Sequence, residues 1–176
     1  MVRILSMILT ALVVAGCNAN KPPATQSGSP MLLETPANTQ LLLALSAKGD
    51  QIYTIVTGPD GKPQWSGATP DARLFDDAGK QLGTHGKGPS WILTDSSTVV
   101  AELPPVKKVT ADPAAVPWLE LNAQPGSATG HLHDVTVIQR IHTTGGVPNP
   151  SDLTPANLGK TFRVRYTAEY LFFRPK

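Results

Sequence analysis

The clearest pattern of apolar and polar positions lies near the C-terminus, in residues 161–173. Every second residue there is apolar, and the residues between are mostly charged or polar. Side chains of a β-strand alternate between two faces, so this period predicts a long strand with one buried face. The apolar positions are Phe162, Val164, Tyr166, Ala168, Tyr170 and Phe172.

Shorter apolar runs precede this strand, with turn-forming residues between them about every ten positions. β-Branched and aromatic residues dominate residues 51–56 and 135–141, which favours strands there. We therefore predict an all-β fold, a compact antiparallel β-sandwich or barrel of short strands. At most one or two short helical turns are expected, in residues 112–115 and 151–158.

Two other segments are harder to assign. Residues 40–48 are apolar, but a run of this length favours neither a strand nor a short helix. The pair Gly49-Asp50 follows them and indicates that the element ends there. Residues 104–117 hold four prolines and two adjacent lysines, which is typical of an exposed loop.

The N-terminus has the features of an export signal. After Arg3, residues 4–15 are almost wholly apolar, a run typical of a secretory signal peptide and too short to span a bilayer. The run ends in Val14-Ala15-Gly16-Cys17, which resembles the bacterial lipobox. That resemblance implies cleavage before Cys17 and attachment of lipid to its thiol, although ordinary secretory cleavage nearby is the alternative.

These signals divide the chain into three parts. Residues 1–16 form a lipoprotein signal peptide, residues 17–39 hold the lipidated Cys17 and a flexible tether, and residues 40–176 form a single β domain. We expect the protein in the bacterial cell envelope, bound to the membrane by the lipid anchor at Cys17. The resemblance to the lipobox further implies the outer membrane, facing the periplasm, since Asn18 rather than Asp follows the cysteine.

Composition excludes several classes of function. The chain has 15 Lys and Arg against 13 Asp and Glu, a net charge of only +2, so we expect no nucleic-acid partner. Cys17 is the only cysteine, so no intrachain disulfide forms, and its lipidation would exclude thiol catalysis. We find no phosphate loop, hydrolase elbow or dinucleotide fingerprint, and predict neither a cofactor nor catalytic residues.

Some residue types nevertheless favour ligand binding. His85 lies in a glycine-rich stretch, where a histidine can bind a ligand or act as a general base. Arg140 lies within an apolar strand; if buried, it needs a carboxylate from Glu102, Glu120 or Asp95, or less favourably from a ligand, and the alternative is an exposed arginine at a sheet edge. Aromatic residues can stack on a sugar or an apolar ligand, or simply fill the core. The candidate ligand-binding residues are His85, Trp91, Tyr53, Arg140, Tyr166 and Tyr170.

A metal site has weak support. His131 and His133 would face the same way in a strand, and His85 or His142 would have to complete the site. Zinc usually takes at least three protein ligands, so we favour two solvated histidines and predict no metal.

A set of short runs occurs in a fixed order along the chain. It consists of Gln51-Ile52-Tyr53, Trp65, Leu74-Phe75, Gly79, Gly83-Thr84-His85, Gly88-Pro89, Trp91, Pro117-Trp118-Leu119, Ile138-Gln139-Arg140, Thr143, Gly145-Gly146, Tyr166-Thr167-Ala168 and Tyr170. Over residues 40–173 this set resembles a bacterial and fungal family, the domain of unknown function 3455. The resemblance implies an exported, mostly β domain with no established activity. Ile55 and Ser151 stand where that family has cysteines, and His142 stands where it has asparagine.

Three functional hypotheses follow. The first is a membrane-anchored envelope lipoprotein with a non-enzymatic β module, structural or binding a protein, glycan or small-molecule ligand. The second is a small envelope enzyme that uses His85 with a nearby carboxylate such as Asp95. The third is a barrel that carries an apolar ligand in a cavity lined by the alternating face of residues 162–172.

Overall fold

The computed structural model describes residues 33–176, which form ten strands and two short 3-10 helices. The strands are β1 Thr39–Thr57, β2 Pro63–Trp65, β3 Thr69–Phe75, β4 Gln81–Gly86, β5 Ser90–Leu93, β6 Thr98–Val100, β7 Lys107–Val109, β8 Trp118–Asn122, β9 Val137–Gly145 and β10 Thr161–Pro175. The 3-10 helices are Pro150–Asp152 and Pro155–Asn157. The prediction of an all-β fold is confirmed. The predicted signal peptide and Cys17 lie outside the described residues.

The strands form one curled antiparallel sheet with the order β6-β5-β4-β3-β1-β10-β9-β8-β7, while β2 pairs with β1 alone. The two longest strands, β1 and β10, are neighbours at its centre and pair from Thr39 opposite Pro175 to Thr54 opposite Thr161. The sheet curls into a half-barrel. No helix within residues 33–176 is long and apolar enough to cross a bilayer.

The prediction that an element ends at Gly49-Asp50 is wrong, because β1 continues through both residues. Gly49 lies between Ala72 of β3 and Tyr166 of β10. A Cβ atom at Gly49 would lie only 2.5 Å from the Cα atom of Ala72. The glycine therefore allows two strands to approach closely, and it makes no turn.

The predicted helical turns have different outcomes. Residues 112–115 form a hydrogen-bonded turn without a helix, in which the Asp112 carboxylate accepts from the Ala114 amide at 2.8 Å. Residues 151–158 hold parts of both 3-10 helices, as predicted. The proline-rich segment 104–117 also contains β7, which pairs with β8.

The core fills the concave face of the half-barrel. The alternation predicted for β10 is confirmed, since Tyr166, Ala168, Tyr170 and Phe172 are buried. The indole of Trp91, on β5, reaches across the interior and meets the ring of Phe172 edge to face, with centroids 5.9 Å apart.

The described chain contacts the domain before β1 begins. The carbonyl of Glu34 accepts a hydrogen bond from Gln139 Nε2, on β9, at 2.7 Å. The same nitrogen donates to the buried carboxylate of Glu120, which also pairs with Lys107. Residues from Glu34 onward are thus already attached to the sheet.

Candidate functional site

A cavity of about 300 Å³ lies on the concave face of the half-barrel, beside the loop that joins β4 to β5. Leu119 and Leu121 of β8, with Leu103 and Pro89, form much of its apolar wall. Besides Thr69 of β3, four side chains with polar groups line it, one each from β4, β5, β9 and β10. They belong to His85, Trp91, Arg140 and Tyr170.

Strand register explains why these four side chains meet. Arg140 of β9 pairs with Tyr170 of β10 on one side and with Leu119 of β8 on the other. Directly paired residues in antiparallel strands project from the same face, so all three point to the concave side. The same rule places His85 and Trp91 together, because they are opposite each other in β4 and β5.

His85 is held flat against Trp91. Their ring centroids are 4.3 Å apart and their planes differ by 10°. His85 Nδ1 lies 2.8 Å from the carbonyl oxygen of Ser90. Because a carbonyl only accepts, Nδ1 carries the proton and donates, which leaves Nε2 as an acceptor. Burial lowers the pKa of His85 to about 3, despite the opposing effect of the Ser90 bond, so the imidazole is neutral at physiological pH.

Arg140 supplies the positive charge of the cavity. Its Nε and Nη2 atoms donate to the carbonyl oxygen of Pro117 at 3.1 and 2.8 Å. Within residues 33–176 no carboxylate pairs with this guanidinium. The expected protein carboxylate is therefore wrong: Glu120 binds Lys107 instead, and a backbone carbonyl orients Arg140 without neutralising it.

Several buried polar atoms near the cavity lack hydrogen-bond partners in the described part of the chain. They are Gln51 Nε2, Trp91 Nε1, Tyr166 Oη and Tyr170 Oη. Trp91 and Tyr170 line the cavity, and each is only 1% exposed. Leaving a buried donor or acceptor unpaired costs about 1–3 kcal/mol, so native proteins pair such groups with protein, water or ligand.

The tyrosines respond to both burial and charge. Burial raises the pKa values of Tyr53, Tyr166 and Tyr170, and the positive charge of Arg140 acts in the opposite direction on all three. Tyr166 and Tyr170 also influence each other's pKa, although their hydroxyls do not reach hydrogen-bond geometry. The interior around Arg140 is therefore polar at its centre and aromatic at its walls.

Four of the six candidate ligand-binding residues thus meet at one cavity, and two do not line it. The Tyr53 hydroxyl donates to the carbonyl of Gly146 at 2.7 Å, and its ring packs against Trp65. Tyr166 is buried in the core, 3% exposed. Both side chains stabilise the fold beside the cavity.

His131 and His133 lie in a turn before β9, so the strand geometry considered for them is wrong. Leu132, between them, is fully buried. His131 Nδ1 lies 2.6 Å from the carboxylate of Asp95, and His133 Nε2 lies 2.8 Å from that of Asp134. In residues 33–176 no three His, Cys, Asp or Glu side chains are grouped so as to hold a metal ion.

The pairing of His85 with Asp95, on which the enzyme hypothesis depended, does not occur. The Asp95 carboxylate accepts from the Ser97 hydroxyl at 2.6 Å and from the amide and ring of His131. These bonds, that from the Ser97 hydroxyl above all, hold the pKa of Asp95 well below its usual range. Asp95 faces a separate cavity beside His133, and no carboxylate of the described residues lines the cavity of His85.

The cavity also differs from the one expected for an apolar carrier. Among the alternating residues of β10, only Tyr170 lines it, while Ala168 and Phe172 are buried in the packed core. Leu119 and Leu121 were missed as lining residues, although their spacing by two in β8 is a signal for a shared face. Nothing in the sequence indicates that the Pro117 carbonyl orients Arg140.

These features define an all-β half-barrel whose concave face holds a small cavity, lined by aromatic rings and by an arginine that pairs with no carboxylate of residues 33–176. The chain belongs to the family described as "Protein of unknown function (DUF3455)", whose profile matches residues 36–174. The resemblance drawn from residues 40–173 is thereby confirmed. No curated protein and no solved structure matches the chain.

Proposed function

We propose that this protein is a bacterial envelope lipoprotein whose β domain binds a small molecule in the cavity lined by His85, Trp91, Arg140 and Tyr170. One observation carries the ligand-binding part of the proposal. Trp91 and Tyr170 line this cavity, and the indole nitrogen of the one and the hydroxyl of the other are buried without partners in the described chain. A small molecule that pairs with them would offset the cost of their burial.

The shape of the cavity supports the same function. Ligand sites are typically apolar cavities of about 300–1000 Å³ with a few convergent polar groups, and this cavity lies at the small end of that range. The stacked rings of His85 and Trp91 present an aromatic wall. Tyr170 meets both rings edge to face, which fixes the position of its hydroxyl.

A binding role accounts for the site better than catalysis does. His85 is neutral and its Nδ1 proton is committed to Ser90. No carboxylate among the described residues lines the cavity to act as its partner. The groups present hold and orient a ligand, and none forms the nucleophile–base pair that a hydrolytic mechanism requires.

The lipid anchor in this proposal is supported by the amino-acid sequence. Cys17 closes the apolar signal and is the only cysteine of the chain. Because Glu34 already contacts β9, the free tether spans residues 18–33, sixteen residues with a root-mean-square reach of about 20 Å. On this proposal, a tether of that length keeps the binding domain close to the surface of the outer membrane, on its periplasmic side.

Native mass spectrometry of the protein purified from its own envelope tests the binding function. We expect a one-to-one adduct of a small molecule that is retained by Trp65→Phe, since Trp65 packs on Tyr53 and Phe162 away from the cavity. Trp91→Phe removes the unpartnered indole N–H and should lose the adduct. A wild-type protein with no adduct, and with no rise in melting temperature on addition of any of a panel of small ring compounds, would overturn the binding function.

A separate experiment tests the anchor. Cys17→Ser should abolish labelling by radioactive palmitate and release the protein from membranes, whereas Ser27→Ala in the tether should change neither. Continued lipid labelling of the Cys17→Ser protein would show that the lipid is attached elsewhere.

A further inference from the structure

The charge inside the cavity is unbalanced. Arg140 is half-buried, and no carboxylate from residues 33–176 faces it. The stacked His85 is neutral and supplies no second charge. A partly buried cation without a counter-ion loses part of its hydration, and an anion that enters the cavity offsets that cost. One uncompensated positive charge matches one negative charge on the ligand.

The guanidinium is also prepared for such an anion. Two of its N–H groups are held by the single carbonyl oxygen of Pro117, which fixes the plane of the group. An arginine has five N–H donors, and the two bonds to Pro117 leave three of them for other partners. A guanidinium whose orientation is fixed before binding loses little entropy when it pairs with a planar carboxylate.

The other unpartnered groups at the cavity match the same ligand. Trp91 Nε1 can only donate a hydrogen bond, and the Tyr170 hydroxyl can donate one. Arg140 adds further donors, so the site offers an excess of donors to a ligand rich in acceptor oxygens. Leu119, Leu121 and the neutral ring of His85 line the cavity as well, so the space beside these donors carries no further charge.

We infer that the ligand is a small organic monocarboxylate with a flat, apolar body, its carboxylate bound by Arg140 and Tyr170 and its body lying beside His85 and Trp91. This inference rests on the proposed binding function and names the chemical class of its ligand. The single cation favours a carboxylate over a phosphate, which carries more negative charge at neutral pH. A volume of about 300 Å³ suits a body of one or two rings.

Two probes of nearly equal shape test the inference. Benzoate carries the carboxylate, and benzamide replaces it with a neutral amide. Calorimetric titration of the full chain in detergent should show benzoate binding at least about tenfold more tightly than benzamide. Inorganic phosphate is the third probe, and we expect it to bind more weakly than benzoate.

Arg140→Gln keeps a polar side chain of similar length and removes the charge. We expect it to weaken benzoate binding by at least about 30-fold, the effect of removing one partner of a buried charge pair, and to leave benzamide binding within about threefold. Arg73→Gln, on the exposed side of β3, is the matched control and should leave both affinities unchanged. Arg140→Lys, which keeps the charge but loses the planar fork, replaces the glutamine variant if the latter does not fold, and should weaken benzoate binding several-fold.

The results separate the two proposals. Equal binding of benzoate and benzamide, with no effect of the Arg140 substitution, overturns the carboxylate assignment and leaves the binding function standing. If the molecule released from the natural adduct is neutral, the carboxylate assignment is likewise overturned and the binding function stands. If no probe binds and the purified protein carries no adduct, the binding function itself fails. Recovery of a carboxylic acid, with selective loss of benzoate binding in the variant, supports both.

Discussion

The imidazole of His85 lies parallel to the indole of Trp91, with centroids 4.3 Å apart, while the Ser90 carbonyl holds its Nδ1 proton. This arrangement makes His85 part of a rigid aromatic wall, and it keeps a titratable group neutral in the core. The stack connects β4 and β5 to the ring of Tyr170 on the opposite side of the interior. We therefore expect the stability of the domain, its response to pH and the proposed ligand binding to depend on the same pair of residues.

The first prediction concerns pH. His85 has its ordinary pKa of 6.5 in the unfolded chain and about 3 in the folded one, so between these values only the unfolded chain takes up the proton. The free energy of unfolding should therefore fall as the pH falls through this window, by up to about 1.4 kcal/mol per pH unit. Urea unfolding at pH 7, 6 and 5 measures the slope, and the slope should be smaller in His85→Gln. An imidazole that titrates near pH 6.5 by NMR in the folded protein would contradict this prediction.

The second prediction compares two tyrosine hydroxyls. Tyr170→Phe removes a buried hydroxyl without a partner in the described chain, so it should leave the ligand-free protein equally stable or stabilise it by up to about 1 kcal/mol. Tyr53→Phe removes a hydroxyl that donates to Gly146 and should cost about 1 kcal/mol. Chemical denaturation of both variants measures the difference. Equal destabilisation by the two substitutions would mean that the Tyr170 hydroxyl is paired in solution.

The third prediction concerns the close approach of β1 and β3. Gly49→Ala would place a methyl group 2.5 Å from Ala72 Cα, in contact with backbone atoms that cannot yield without separating the strands. We expect a loss of at least about 3 kcal/mol, or failure to fold. Gly67→Ala is the control, because nothing lies within 4 Å of its added Cβ atom and its backbone is not left-handed. Thermal unfolding monitored by circular dichroism gives both values, and a stable Gly49→Ala protein would refute the close packing.

The fourth prediction concerns the carboxylate that joins two loops. Asp95 accepts from Ser97 and His131, so it connects the β5–β6 turn to the turn before β9. Asp95→Ala should destabilise the protein by about 1–3 kcal/mol and speed hydrogen exchange at the amides of Ser97 and His131. Asp77→Ala, at an exposed turn, should change stability by no more than about 0.5 kcal/mol. Unchanged exchange at His131 would show that the carboxylate does not hold this turn.

The strands were predictable wherever a local pattern decided them. Residues 161–173 alternate so regularly that one face had to be buried, and the structure buries it. Gly49 shows the limit of this approach. A glycine beside an aspartate favours a turn when only neighbours in sequence are considered. In the sheet, however, Gly49 avoids a steric clash with a strand that lies more than twenty residues further along the chain.

The sequence indicated which residues could form the candidate site, but it did not indicate that they lie together. His85, Trp91, Arg140 and Tyr170 are unusual for their positions, and this drew attention to each of them separately. Their meeting depends on pairings between strands far apart in the chain, such as Arg140 opposite both Tyr170 and Leu119. The partner of Arg140 was not predictable at all, because a backbone carbonyl leaves no mark in the amino-acid sequence.

The sequence alone determined the all-β class, the burial of one face of residues 161–173 and the family, and it is also the sole source of the predicted export signal that ends at Cys17. Each of these depends on composition, spacing or a period of two, which are local properties of the chain. The tertiary structure decided which aromatic rings fill the core and which border a cavity, that His131 meets Asp95, and that Arg140 meets no protein carboxylate in the described chain. The physical reason is that a local pattern determines only the face on which a side chain lies. The curl and register of the sheet, summed over many long-range pairings, determine what it meets there.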